Sequence, residues 1–372
     1  MEYRKLRVII SGGGTGGHIF PALSIADKLK EVNPETEILF VGADGKMEME
    51  KVPAAGYRIM GLPVAGLQRK LTLSNLALPF KVTKSIGMAK KIIREFRPDI
   101  AVGVGGYASA PLLWAAGRLG IPTLIQEQNG FAGLTNRILG KKAAKICTAY
   151  EGMERFFPAD RIVLTGNPIR KEIVPGNEEM RKEACCFYGL DPEKKHIFIV
   201  GGSLGSGTLN RAMMKWISEG CPGGDGVEVI WQCGKFYKDK VDAFMSDAGC
   251  TGVKHYDFIQ RMDLAYSVAD VIISRSGASS VSELCAARKA VIFVPSPNVT
   301  EDHQTHNAMA LVNRYAAMIV KDSEADDRLM KTACGLLDEP ERIALLEKNI
   351  AALAKTDAAM EIVKEIYNIR YV

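Results

Sequence analysis

Residues 6–18 read Leu-Arg-Val-Ile-Ile-Ser-Gly-Gly-Gly-Thr-Gly-Gly-His. A short apolar strand runs into a loop of glycines around Thr15, His18 closes the loop, and a helical pattern follows from Ile19 to Lys30. Strand, glycine loop and helix start form the geometry that turns backbone N–H groups toward an anion. Glycine there permits φ > 0 and removes the Cβ that keeps a ligand away. His18 adds a group that exchanges a proton near neutral pH. The loop also contains Gly12-x-Gly14-x-x-Gly17, the spacing of a dinucleotide fingerprint. A nicotinamide enzyme needs an acidic residue at the end of the second strand. Asp44 lies in that region, but Gly42-Ala43-Asp44-Gly45 reads as loop. Tight helix–strand packing is the other explanation of the glycines.

Outward from this loop, apolar strands alternate with helical patterns. Strands are expected at Arg7–Ser11, Ile38–Val41, Ile100–Val104, Thr123–Gln126, Lys145–Ala149 and Ile162–Leu164, with helices such as Pro21–Glu31 and Asn75–Phe96 between them. This alternation predicts a parallel, doubly wound α/β sheet. The second half repeats the scheme. Ile197–Val200 leads into Gly201-Gly202-Ser203-Leu204-Gly205-Ser206-Gly207 and a helix from Thr208, and further strands are expected at Val227–Gln232, Val271–Ser274 and Val291–Val294. The length of 372 residues suits two domains of ~150 residues each. Thr165-Gly166-Asn167-Pro168 supplies the turn residues of a hinge. The expected picture is two Rossmann-like domains facing a cleft, residues 1–167 and 168–350, with ligands at the C-terminal strand ends. A second glycine loop is more than a dehydrogenase explains.

The apolar content of 47% and charged content of 24% are those of a globular protein. No segment resembles a signal peptide, and the cysteines form no C-x-x-C pair, so a reducing cytoplasm is expected. The uncharged run 100–117 approaches the length of a spanning helix, but four glycines and Pro111 interrupt it. It reads as strand, glycine loop and buried helix. The net charge of +5 is uneven: +10 over residues 1–170 and −5 over the rest. A basic first half points to nucleic acid, anionic lipid or a phosphorylated substrate.

Several polar groups follow expected strands, where a doubly wound sheet places its ligands. They are Gly105-Gly106-Tyr107, Gln126-Glu127-Gln128-Asn129-Gly130, Arg275-Ser276-Gly277-Ala278-Ser279-Ser280-Val281-Ser282-Glu283, and Asp302-His303-Gln304 with Asn307. The small residues at 276–280 leave helix N–H groups open to phosphate, and Glu283 suits two ribose hydroxyls. Solvated turns and an ordinary capped helix are the plainer readings. No D-x-D triplet occurs, so a carboxylate pair holding a metal on a nucleotide diphosphate is not expected. Helix N-termini and an arginine must then take the leaving charge.

Gly13-Gly14-Thr15-Gly16-Gly17-His18, Gly105-Gly106-Tyr107, Glu127-Gln128-Asn129, Gly166-Asn167-Pro168-x-Arg170, Gly201-Gly202-Ser203-x-Gly205 and Arg275-Ser276-Gly277-Ala278 with Ser282-Glu283 occur in that order. Together they resemble the MurG family, N-acetylglucosaminyltransferases that convert lipid I to lipid II in peptidoglycan synthesis. The resemblance implies a GT-B fold with an acceptor domain and a donor domain. Its last helix, here Ala358–Tyr371 within about 356–372, packs back on the first. It implies UDP-N-acetylglucosamine as donor, the undecaprenyl-pyrophosphoryl-MurNAc-pentapeptide lipid as acceptor, a β-1,4 link formed with inversion, and neither metal nor cofactor. Nucleic acid then drops out as a partner. An anionic membrane surface and the proteins of wall assembly and division take its place, on the cytoplasmic side of the membrane.

By the same resemblance Thr15, Gly16, Gly17 and Asn129 approach the donor sugar. Arg170 and Ser203 contact the uridine diphosphate, Ile259 the uracil, Ser279, Ser280 and Glu283 the phosphate and ribose, and Gln304 the sugar hydroxyls. Gly13, Gly14 and Thr15, with Gly105, Gly106 and Tyr107, hold the acceptor diphosphate. His18 is the expected general base, with Glu127 as its orienter or the alternative base. Several relatives carry His where this chain has Gln126. Leu71, Leu73, Leu76, Leu78 and Phe80 beside Arg69, Lys70, Lys81 and Lys84 suit an interfacial patch on anionic lipid, or equally an ordinary amphipathic face. A diacylglycerol glycosyltransferase, a UDP-N-acetylglucosamine 2-epimerase and a non-catalytic UDP-sugar-binding scaffold are the rival readings.

Overall fold

The computed structural model describes residues 3–14, 16–64, 78–202, 204–299 and 302–371. The chain divides into two compact units, Met1–Arg170 together with Thr356–Val372, and Lys171–Lys355.

The first unit runs β1 (Arg7–Gly12), α1 (Gly16–Val32), β2 (Glu37–Ala43), α2 (Glu48–Ala54), β3 (Arg58–Leu62), α3 (Leu78–Phe96), β4 (Ile100–Gly105), α4 (Ser109–Arg118), β5 (Thr123–Glu127), α5 (Leu134–Gly140), β6 (Lys145–Thr148) and β7 (Ile162–Leu164). Its strands form one sheet of order β3-β2-β1-β4-β5-β6-β7, and the pairings are parallel. Parallel strands covered on both faces read as unbroken apolar runs, and β4 is buried at every position. The uncharged run 100–117 therefore resolves into β4 and α4, as expected from its glycines. Among the described residues no helix is long and apolar enough to cross a membrane.

The second unit runs α6 (Glu178–Tyr188), β8 (Lys195–Val200), α7 (Gly207–Ser218), β9 (Val227–Gln232), α8 (Lys238–Ala248), β10 (Val253–Tyr256), α9 (Met262–Val268), β11 (Val271–Ser274), α10 (Ala278–Ala287), β12 (Val291–Phe293), α11 (His303–Val312), β13 (Met318–Ile319), α12 (Ala325–Leu337) and α13 (Pro340–Ala351). Its parallel sheet has the order β10-β9-β8-β11-β12-β13.

Three strands escaped the sequence reading: β3, β10 and β13. All stand at or next to sheet edges, and none is a continuous apolar run. β3 alternates exposed and half-buried residues, β10 is buried at its first position only, and β13 has two residues. A strand with one open side carries no long hydrophobic signal. The tip of β2 is a further correction. Gly42 and Ala43, read as loop, continue the strand, and the turn starts at Asp44. Residues 75–77 of the expected helix Asn75–Phe96 lie outside the described residues; α3 covers the remainder.

The last helix, α14 (Ala358–Tyr371), belongs to the first unit. Ile362, Val363, Ile366 and Tyr367 share one buried cluster with Val8 and Ile10 of β1 and Ala22, Ile25 and Leu29 of α1. Tyr367 donates its hydroxyl to the Arg4 carbonyl at 2.8 Å. Its ring meets Tyr3 edge-on at 4.8 Å. The helix thus packs on the sheet beside α1, whose N-terminus starts at the glycine loop. Tyr367→Ala is expected to lower stability by about 3–5 kcal/mol, as truncation of a large buried aromatic does. Tyr367→Phe removes only the hydroxyl bond and is expected to cost about 1 kcal/mol. Denaturant titration of both variants checks the ratio.

Candidate active site

In each sheet the strand order reverses at one place. β1 pairs with β2 on one side and β4 on the other; β8 pairs with β9 and β11. Connections from the two neighbours leave toward opposite faces there, opening a crevice at the C-terminal strand ends. The glycine loop after β1 and the Gly105-Gly106-Tyr107 segment meet at the first reversal. The second glycine loop and Arg275-Ser276-Gly277 meet at the second.

At the first reversal the loops are in contact. A Cβ on Gly106, at φ +91°, would sit 2.3 Å from the Gly13 carbonyl oxygen, and one on Gly105, at φ +105°, 2.6 Å from His18 Cδ2. These glycines are therefore required by close approach. The expectation of bare N–H groups at Gly13 and Gly14 needs correction. Gly13 N–H donates to Gly105 O at 3.3 Å. Gly14 N–H donates to Glu48 Oε2 at 2.8 Å. Glu48 starts α2, is fully buried, and accepts the Ala43 N–H at 3.0 Å with its other oxygen. The N-terminal amides of α1 lack intrahelical acceptors by construction, so an anion at this crevice meets that helix end rather than the loop's first two amides. Thr15 lies outside the described residues.

His18 places Nδ1 3.0 Å from the Gly13 carbonyl oxygen. A carbonyl only accepts, so Nδ1 carries the proton and a neutral ring keeps Nε2 as its lone-pair nitrogen. The ring lies against Gly105, where Nε2 would be 2.8 Å from an added Cβ. Tyr107, half-exposed, has its ring 3.7 Å from the Cβ position of Gly14.

Glu127 ends β5 and is buried. Its Oε1 accepts from Asn129 N at 3.1 Å and Asn129 Nδ2 at 3.4 Å, and its Oε2 from Asn136 Nδ2 at 2.8 Å and Gly133 N at 3.3 Å. Burial pushes the carboxyl above the usual carboxylate range, opposed by these donors. The structure does not bring Glu127 onto His18; the carboxylate instead ties together the loop from Asn129 to Asn136. Beside it, the buried amides of Gln126, Gln128 and Asn167 interlock. Gln126 Nε2 donates to Asn167 Oδ1 at 2.8 Å, Asn167 Nδ2 to Gln128 O at 3.0 Å, and Gln128 Nε2 to Val104 O and to Gln126 Oε1. Gln126 is thus a neutral member of an amide network that joins β4, β5 and the Asn167 turn. Arg170 is the last residue of the first unit's main segment.

In the second unit, Gly205 and Gly234 press their backbones together: a Cβ on Gly234 would lie 2.4 Å from Gly205 Cα. Gly202, at φ +85°, has open space on its Cβ side. Gln232 holds the loop, donating to Gly202 O at 2.9 Å and accepting the Ile259 N–H at 3.0 Å. Ile259 itself is buried. Arg275 is committed to its own fold, with Asp322 Oδ1 at 2.5 Å, Val294 O at 2.8 Å and Ser206 Oγ at 2.7 Å. Ser276 Oγ donates to the Gln304 carbonyl at 2.8 Å, and Gln304 Oε1 accepts the Ser296 N–H at 2.9 Å. Ser279 and Ser280 stand in the first turn of α10 and Glu283 on its next turn. Tyr266 donates to Glu283 Oε2 at 3.3 Å. Among the described residues Ser279 Oγ is buried without a hydrogen-bond partner. Ser203 lies outside the described residues.

Sequence reasoning missed Glu48 and Gln232. Each organises a glycine loop from an element far along the chain, and neither sits in a motif. Gly13 and Gly42 carried the signal for Glu48, since a Cβ on either would overlap its side chain at 2.2 and 2.6 Å.

Comparison with known proteins agrees with this architecture. Residues 8–148 match the glycosyltransferase family 28 N-terminal domain and residues 196–365 the family 28 C-terminal domain. The chain is 53% identical over 366 residues to the UDP-N-acetylglucosamine–N-acetylmuramyl-(pentapeptide) pyrophosphoryl-undecaprenol N-acetylglucosamine transferase of Parabacteroides distasonis, covering 98% of this chain and 99% of the relative. It is 55% identical to the protein of the same name from Phocaeicola vulgatus, covering 98% and 96%. The crystal structure of Acinetobacter baumannii MurG superposes with a TM-score of 0.77 at 29% identity, covering 98% of this chain and 100% of that one. A UDP-N-acetylglucosamine 2-epimerase, at 14% identity and a TM-score of 0.66, shares the fold alone. With both domain models matched in order and half the residues identical to its curated relatives, the chain belongs to the MurG family of glycosyltransferases, within glycosyltransferase family 28.

Proposed function

We propose that the chain transfers N-acetylglucosamine from UDP-N-acetylglucosamine to the N-acetylmuramyl-(pentapeptide) pyrophosphoryl-undecaprenol lipid, lipid I, with His18 as the general base. The names of its relatives supply donor and acceptor. The observation that carries the base is the Nδ1 contact of His18 with the Gly13 carbonyl, which leaves Nε2 with the lone pair.

Inversion is one in-line displacement. Nε2 takes the proton of the acceptor hydroxyl, the hydroxyl oxygen forms the new bond to the anomeric carbon, and the bond from that carbon to the phosphate oxygen breaks. UDP leaves with the electron pair. The N-terminal amides of α10 and the Ser279 hydroxyl, which has no partner among the described residues, suit the diphosphate. Ser280, Ser203 and Arg170 join them, Glu283 takes the ribose, the segment ending at Ile259 lies by the uracil, and Gln304 meets the sugar. Gly16, Gly17, Thr15 and Asn129 approach the donor sugar from the first unit. The acceptor diphosphate meets the start of α1 beside Gly106 and Tyr107, because Gly13 and Gly14 already spend their N–H groups internally. Glu127 organises the loop that carries Asn129.

The acceptor is a lipid, so the first unit works at the cytoplasmic membrane surface. The segment from Arg69 to Leu76, read from sequence as an interfacial patch, lies outside the described residues, as do the side chains of Leu78, Phe80 and Lys81. Described neighbours fit the reading. Trp114 on α4 is partly exposed between two cations, Lys90 of α3 at 5.5 Å and Arg118 at 5.0 Å from its ring. An amphipathic ring flanked by cations suits the headgroup region of an anionic bilayer. Wall-assembly and division proteins are the further partners of this reading.

UDP release that requires both labelled donor and a lipid I analogue tests the reaction. His18→Ala is expected to lower kcat by roughly 10²–10⁴-fold; turnover above about a tenth of wild type removes His18 as base. Glu127→Gln turns an amide NH2 toward two N–H donors. It is expected to cost about 1–3 kcal/mol of stability, read by denaturant titration. Unchanged stability with lost turnover and a displaced pH profile makes Glu127 the base instead. Binding to phosphatidylglycerol vesicles is expected to fall with salt and to weaken in Lys90→Ala with Trp114→Ser. Binding indifferent to salt and to both changes overturns the membrane face.

A further inference from the structure

The Gly13 carbonyl and the Gly14 N–H belong to one peptide unit. Peptide units are planar, and the described chain contains no cis peptide bond, so the two groups point in opposite directions. One end is held by Glu48 Oε2 at 2.8 Å, and the other faces His18 Nδ1 at 3.0 Å. Glu48 is itself fixed: it is fully buried, and Oε1 accepts the Ala43 N–H at 3.0 Å at the tip of β2. Gly13 and Gly42 leave the space that its side chain fills.

Between two glycines a peptide plane turns over with little steric cost. Turned over, this unit would offer its N–H to His18 in place of its carbonyl. Nδ1 would then accept, the ring proton would sit on Nε2, and the nitrogen assigned to proton abstraction would hold a proton already. A carboxylate prevents this, because it only accepts and a turned-over carbonyl would face its oxygen.

We infer that Glu48 is a positioning residue that locks the Gly13–Gly14 peptide with its carbonyl toward His18, and so sets the histidine tautomer that keeps Nε2 as an acceptor. The inference rests on the reading of His18 as base, but the tautomer is measurable apart from turnover.

In protein labelled with 15N-histidine, the His18 ring of the wild type, assigned by its loss in His18→Ala, is expected to show the Nδ1–H tautomer. In Glu48→Gln, of nearly equal shape but with one acceptor replaced by a donor, the signal is expected to move toward the Nε2–H form. The same variant is expected to lose about tenfold or more in kcat, up to the roughly 10²–10⁴-fold of a general-base contribution, with KM for UDP-N-acetylglucosamine within about twofold. Placed in His18→Ala, it is expected to cost nothing further, as residues acting through one another do. A wild-type ring in the Nε2–H form overturns the inference, and this measurement stands even where the variant fails to fold. A folded Glu48→Gln with unchanged tautomer and kcat overturns it, as does the same fold-loss with and without His18. A fully active His18→Ala with the expected tautomer shift removes the base assignment and leaves the lock in place.

Discussion

The reversal of strand order in each parallel sheet is the constraint on which the rest depends. A parallel strand can only be followed by a crossover, and crossovers on the two sides of β1 leave the sheet toward opposite faces. The crossovers part there, and the loops after β1 and β4 are brought into contact at the C-terminal end of the sheet. The same rule acts at β8 and β11. The Gly105-Gly106-Tyr107 and Gln126–Gly130 segments begin in the last residues of their strands, Arg275-Ser276-Gly277 follows directly on β11, and the two glycine loops occupy the two reversals.

Within that frame the glycines do two different jobs. Some let backbones touch: Gly106 against Gly13, Gly234 against Gly205. Others leave open space at a positive φ, as Gly202 does. Glycine-rich sequence shows no difference between these cases, although one closes a loop and the other opens it. The first loop, taken for an anion cradle, proves to be partly closed. Its leading amides are satisfied by Gly105 and Glu48, and its carbonyl at Gly13 serves His18. An acidic side chain beneath a glycine loop is a poor floor for a phosphate and a good clamp for a peptide.

Buried polar groups near the site are paired to one another rather than left for a ligand. Glu127 takes four N–H donors and the Gln126, Gln128 and Asn167 amides satisfy each other, which agrees with the cost of leaving such groups unmatched. Ser279 at the start of α10, Ser11 at the end of β1 and Thr148 at the end of β6 depart from this pattern, their buried hydroxyls having no hydrogen-bond partner among the described residues.

The sequence by itself determined the fold class, the buried strands and the order of the site loops. Their signals are local: continuous apolar runs such as Ile100–Val104, and glycines followed directly by a helical pattern. It also determined that His18 stands at the end of such a loop. The edge strands β3, β10 and β13 were illegible, because a half-exposed strand takes its conformation from its neighbour rather than from its own apolar content. Only the tertiary structure decided what each polar side chain does. Glu127, read from the sequence as an orienter or alternative base, also holds a loop. Arg275 had looked like part of a phosphate site and ties Ser206 to Asp322. Glu48 had looked like nothing and grips the peptide beneath His18. A hydrogen bond between residues 34 positions apart leaves no mark in the spacing of either. It exists only once packing has brought α2 under the loop after β1.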